Sequence, residues 1–145
     1  MEIFEAFTGY LLGSVALSNL VGDRIFPDSL PEHHIGSGIV YQAIGGGVEY
    51  TLQSRESLKT PQYQFSCYGA SNKEAYAVYK QLVKAFDEVP TYLEGLNIQF
   101  IEQLSEPVKD YEPETKRHCY KVDFQFYYTE QEMIICLEHS EIERP

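Results

Sequence analysis

QYQFSCYGASNKEAYAVYKQLVKAFDEV, residues Gln62–Val89, is the stretch whose reading decides the fold. Tyr63, Phe65 and Cys67 alternate with Gln62, Gln64 and Ser66, the period of two of a strand with one buried face. Gly69 and Ala70 break the alternation. Ser71 followed by Glu74 is a capping box: the serine oxygen takes an orphan backbone N–H and the glutamate reaches back. The helix predicted from there carries Ala75, Val78, Tyr79, Leu82, Phe86 and Val89 on one face and Lys73, Lys80, Gln81, Lys84 and Glu88 on the other. Pro90 stops it, because proline lacks an N–H and disfavours helical geometry in the residue before it. A strand turning into an amphipathic helix is scaffold without chemistry of its own.

Working back from this pair, Ile3, Phe4, Phe7, Tyr10 and Leu11 form a helical stripe that Gly9 weakens and Gly13 ends. Ser14 can cap a second short helix bearing Val15, Leu17, Leu20 and Val21, with Gly22 where a left-handed cap residue is wanted. Asp23 to Pro27 reads as a short extended piece, and Pro27, Pro31 and Gly36-Ser37-Gly38 mark a loop. Ile39, Val40, Tyr41 and Ile44 predict a strand, Gly45-Gly46-Gly47 a hairpin turn, and Val48, Tyr50 and Leu52 the returning strand. Ser54 to Pro61, with Arg55, Glu56 and Lys59, reads as a polar loop.

On the far side of the helix, Leu96, Ile98, Phe100 and Ile101 with Leu104 suggest a strand ended by Pro107, and Lys109 to Arg117 a turn or loop. Tyr120, Val122, Phe124, Phe126 and Tyr128 then alternate with polar neighbours in the cleanest period-two pattern of the chain, which predicts a central antiparallel strand. The expected fold class is α+β: a single, mainly antiparallel sheet packed by one long helix and short N-terminal helices. Residues 1–128 form the domain, and 129–145 an acidic C-terminal extension. Within that extension Met133, Ile134, Ile135 and Leu137 form an apolar patch that docks on its own sheet or on a neighbouring subunit.

At 145 residues, 43% hydrophobic and 23% charged, the chain is the size and composition of one globular domain. It holds no apolar run long enough to span a bilayer, and its acidic start is unlike a secretory signal, so a soluble, intracellular protein without membrane contact is expected. Cys67, Cys119 and Cys136 lie far apart and read as incidental thiols. Eleven basic against 22 acidic residues give a formal charge of −11, which opposes nucleic-acid binding by phosphate neutralisation. His33 and His34 sit in a loop, and His118 adjoins Cys119 on a strand, where neighbours face opposite ways, so no metal site is read. The glycine triplet lacks the helix and GK[ST] ending of a phosphate loop, and Asp110, Glu112 and Glu114 lack the pattern of a calcium loop. No catalytic, cofactor-binding or metal-binding set emerges, and the chain is not expected to be an enzyme.

LVGDRIFP at Leu20 to Pro27, IVYQ at Ile39 to Gln42, QYQFSCYG at Gln62 to Gly69, YEPET at Tyr111 to Thr115 and YKVDFQFYY from Tyr120, in this order and spacing, resemble the tail completion or tail terminator proteins of long-tailed bacteriophages and prophages. The resemblance runs from about Ile3 to Tyr128. Gly36-Ser37-Gly38 stands where the family usually brings a proline, and the chain continues to Pro145 where the family commonly ends sooner. Membership implies a structural virion protein of the tail and neck, assembled in the host cytoplasm. It would form a hexameric ring on the tail tube protein, end tube polymerisation and join the head through a head-completion protein. DNA would pass through without specific binding, and no cofactor is implied. A head-completion connector of the same virion, or a small cytosolic binding module or enzyme, are the alternatives. Candidate subunit-interface residues are Arg55, Glu56 and Lys59 with Ile134 and Ile135.

Overall fold

The structure, a computed structural model, describes residues 3–29, 36–50, 57–113 and 116–130. Helix α1 (Ile3–Leu12) ends at Gly13, and α2 (Val15–Val21) starts from Ser14, whose side chain accepts from the Leu17 N–H. The two helices meet at 88°. Gly22 caps α2 with φ +60°, a conformation glycine adopts without steric cost. The chain then enters β1 (Ile25–Pro27), which lies parallel to β2 (Gly38–Tyr50). Arg24 fixes this crossing: its Nε donates to Ser37 O at 2.7 Å, just before β2. Arg117 donates to Gly36 O from the other side.

Strand β2 runs 13 residues, straight through the glycine triplet, and pairs antiparallel with β3 (Ser57–Gly69). The expected turn at Gly45-Gly46-Gly47 is therefore corrected. The register shifts between Ala43 and Gly45, a bulge, and Gly46 lies against Pro61 with φ +116°. A Cβ on Gly46 would sit 2.3 Å from Thr60 O and 2.4 Å from Pro61 Cα, so glycine serves close strand approach here, not chain reversal. The expected polar loop at Ser54 to Pro61 is likewise partly strand, since β3 begins at Ser57.

At the end of β3, a Cβ on Gly69 would stand 2.5 Å from the Ala75 N–H nitrogen, so only glycine lets helix α3 (Asn72–Asp87) start this close to its strand. The predicted cap is in place: Ser71 Oγ accepts from Glu74 N at 3.2 Å, and Glu74 Oε2 accepts from Ala70 N at 3.1 Å. Beyond α3 come β4 (Tyr92–Leu93), β5 (Leu96–Gln103), β6 (Val108–Glu112) and β7 (Arg117–Glu130). The sheet order is β1-β2-β3-β7-β5-β4, with β6 also pairing β7. β5 and β6 share one side of β7: β5 covers Phe124 to Glu130 and β6 covers Arg117 to Lys121. The turn or loop expected from Lys109 to Arg117 thus contains a strand. All described sheet pairings except β1–β2 are antiparallel, as the α+β reading expected, and α1, α2 and the 16-residue α3 pack on one face.

That face is the core. Phe7 and Phe65 are fully buried, and Phe126 and Phe86 join them edge-on, with Phe7–Phe126 and Phe86–Phe126 ring centroids 5.0 and 5.5 Å apart. Ala75, Val78, Tyr79, Leu82 and Phe86 of α3 are buried, as their spacing predicts, and Val89 packs at the margin.

Candidate functional site

Among the described residues, no helix packs on the second face of the sheet. Because side chains alternate along a strand, the residues between the core positions fall here: Gln42, Gln64, Asp123, Gln125 and Tyr127, with Phe100 and Glu102 from β5 and Asp110 from β6. They bond to one another across strands. Gln64 Nε2 donates to Asp123 Oδ1 at 3.2 Å, Gln125 Nε2 to Thr60 O at 3.2 Å, and Tyr127 OH lies 3.0 Å from Glu102 Oε1. Lys121 meets Asp110 at 3.5 Å. Phe100, 56% exposed, lies against Tyr127. Cross-strand pairs of this kind tie neighbouring strands together and leave polar groups on the surface, where they can make contacts.

A small cluster of Val40, Tyr68 and Cys119 is buried on this same face. Burial pushes the Cys119 thiol up to about 11, against a lowering by Lys121 and by a hydrogen bond from Ser66. Cys67, buried in the main core, is raised further by burial and by Cys119. Tyr68 is raised by burial and then by its hydrogen bond with Glu112. Both thiols are protonated at neutral pH, and a protonated thiol is a poor nucleophile. Among the described residues no three His, Cys, Asp or Glu side chains are placed to hold a metal ion. The His118 ring lies tilted against Tyr111, with ring centroids 4.8 Å apart.

On the core face the edge of the sheet opens into a groove of 660 Å³ between α1 and β2. Its floor is aromatic: Phe4 stacks on Tyr41 at 4.3 Å and touches Tyr63 at the same centroid distance. Glu5 and Asp28 form its rim, and the Thr8 Oγ1 that lines it is buried without a hydrogen-bond partner.

Of the candidate interface residues, Lys59 lies on β3 and not in a loop, with its ammonium paired to Glu130 at the end of β7. Arg55, Glu56, Ile134 and Ile135 lie outside the described residues. The groove escaped the sequence reading because its walls come from α1, the end of β1, β2 and β3. The stretches that carry the family resemblance have structural work here: Arg24 holds the β1–β2 crossing, Gly69 the strand-to-helix contact, and Tyr111 the edge strand over His118.

Comparison with known proteins agrees on where the similarity lies. No curated protein matches the chain. Among solved structures, a chain of the virion of a native gene transfer agent particle superposes with a TM-score of 0.64 at 14% identity, over 88% of this chain and 94% of that one, which shows a shared fold. The family model described as tail completion protein gp17 matches residues 5–129, from α1 to the last turn of sheet before the C-terminal residues. By that match the chain belongs to the tail completion protein gp17 family, a family of structural virion proteins.

Proposed function

We propose that the protein forms a ring of six copies on the end of the phage tail tube, where it stops tube polymerisation and makes the joint to the head. The observation that carries this reading is the family match over residues 5–129, which runs from within α1 to within β7. Ring closure requires heterologous contacts between different patches of one subunit, and the second sheet face and the long β2–β3 pair could supply such patches. In this reading Arg55, Glu56 and Lys59, with Ile134 and Ile135 of the acidic extension 129–145, contribute to contacts between neighbours. The partners are the tail tube protein on one side and a head-completion protein on the other.

DNA passes through the ring without being held. The second sheet face supports this, since Asp110, Glu112, Asp123 and Glu102 outnumber Lys121 and Arg117 among the described residues there, and phosphate binding depends on basic groups. Purified protein mixed with tail tubes tests the reading: negative-stain images and native mass spectra should show tube ends closed by a ring of six subunits. Tubes that keep growing in the presence of the protein would refute it.

A further inference from the structure

Resting on the ring reading, we propose that neighbouring subunits are joined by their C-terminal residues. The apolar patch at Ile134 and Ile135 of one copy seats in the groove beside α3 of the next, and the glutamates flanking the patch meet the lysines of that helix. The groove, of 630 Å³, lies between α3 and the connection from β5 to β6. Tyr76, Lys80 and Val83 form its helix wall, and Gln103, Glu106 and Pro107 the opposite one. Gln103 ties the walls together, its Nε2 donating to Tyr79 OH and to Ser105 O, both at 2.9 Å. Tyr76, 44% exposed, offers an aromatic surface that aliphatic and thioether side chains can cover.

Charge selects the occupant. Lys73, Lys80 and Lys84 are exposed and stand at i, i+7 and i+11, on one stripe of α3. Among the described residues no ion pair holds any of the three. Glu74 is engaged at the helix cap, and Asp87 and Glu88 come a turn beyond Lys84. In a chain of formal charge −11 such a stripe attracts acidic segments, and the chain contains one. Residues 131–145, which lie outside the described residues, carry Glu132, Glu138, Glu141 and Glu143 against Arg144, around Met133, Ile134, Ile135 and Leu137. An apolar patch with Glu132 before it and Glu138 after it matches a groove with Lys73 at one end and Lys84 at the other. The span from Glu132 to Glu138 is about 20 Å in extended chain, and that from Lys73 to Lys84 about 16 Å along a helix. Lysine side chains cover the difference.

Distance makes the contact one between copies. Gln103 lies opposite Phe124 on β7, and Val108, next to Pro107, lies opposite Lys121. The sheet-side wall of the groove therefore sits six to nine residues back from Glu130, the end of β7, or about 20–30 Å along the strand. From Glu130 the chain reaches Ile134 and Ile135 within at most about 14 and 18 Å, and it must first reverse direction. A subunit's own patch stops short of that wall. Patch and groove are different surfaces of one subunit, so joining them between copies gives the heterologous contact that closes a ring.

The test uses full-length protein with tail tubes and the native Cys136 beside the patch. With Ser105→Cys on the groove wall, oxidation should link each copy's Cys136 to the next copy and give a ladder of disulfide-linked oligomers up to the ring size. Ser105→Cys combined with Cys136→Ser should give no ladder. Cys67 and Cys119 are buried and do not compete. Lys73→Glu with Lys84→Glu should lower the fraction of subunits in rings at least about tenfold, and adding Glu132→Lys with Glu138→Lys should restore it. Rings that form normally after the lysine reversal, or oxidised rings without the ladder, would overturn the docking while leaving the ring reading intact. If wild-type protein forms no ring either alone or on tubes, the ring reading fails and the docking with it.

Discussion

Replacing Gly46 by alanine separates close strand approach from chain reversal as the reason for glycine in the triplet. An alanine Cβ there would lie 2.3 Å from Thr60 O, 2.4 Å from Pro61 Cα and 2.9 Å from Gln62 N, all backbone atoms that no rotamer change can move aside. The oxygen contact must open by about 0.7 Å to reach 3.0 Å, below which real Cβ contacts are essentially never found. The φ of +116° adds backbone strain of about 1–3 kcal/mol, and the overlap adds roughly 1–3 kcal/mol as overpacking. Gly45 is the internal control, since its φ is +138° but a Cβ there meets nothing within 4 Å. Gly45→Ala should therefore carry the strain alone, and Gly46→Ala should be the less stable by about 1–3 kcal/mol in urea unfolding. Amide exchange should also speed up in Gly46→Ala along β2 and β3 near the bulge. Equal losses for the two variants would show that β2 does not pass Pro61 as described.

Lys59→Glu faces Glu130 with a like charge, but both side chains are partly exposed, so stability should change by less than about 1 kcal/mol in denaturant melts. Combined with Arg55→Glu it should reduce ring formation on tubes, and unimpaired assembly would remove these residues from the interface. Ser71→Ala removes the oxygen that accepts from Glu74 N and should cost about 1 kcal/mol of unfolding free energy. Raising the pH should destabilise the protein: Cys67, Cys119 and Tyr68 are all raised in the native state, so the unfolded chain releases these protons first. The contribution of Cys119 is fully present below its ordinary value of 9.0 and is lost as the pH climbs through about 11. Cys119→Ala should flatten the stability curve across that window, whatever its effect at neutral pH.

What could be read in the sequence was what is local. The cap at Ser71, the buried stripe of α3 and the alternation of β3 and β7 each depend on residues within a turn or two of one another, and each stands in the structure where the spacing put it. The glycine triplet misled because its reason is 14 and 15 residues away: Gly46 is needed by the backbone of Thr60 and Pro61, and nothing in GGG distinguishes that from a turn. β6 misled for a related reason. Four of its five residues are exposed, so it has no inward-outward alternation, and only pairing with β7 makes Val108–Glu112 a strand. Lys59 reads as loop until Tyr128 is known to lie opposite it. The groove at Glu5 and Asp28 is the extreme case, built by four elements of which none carries a signal of its own.

The two sheet edges carry an opposing pair of demands. An open edge can pair with other chains at random unless something opposes it, whereas in the proposed ring a subunit must keep its edges available for its neighbour. A formal charge of −11 serves the first demand, since like-charged copies repel over a range set by the Debye length, about 8 Å at physiological salt. In the proposed ring the second demand needs contacts between neighbours strong enough to act inside that range. Repulsion acting at a distance and attraction acting on contact make assembly depend on being brought together in register. In the proposed ring, a tube end that holds the copies side by side would supply that register, and closure of the ring and arrival at the end of the tube would become one event.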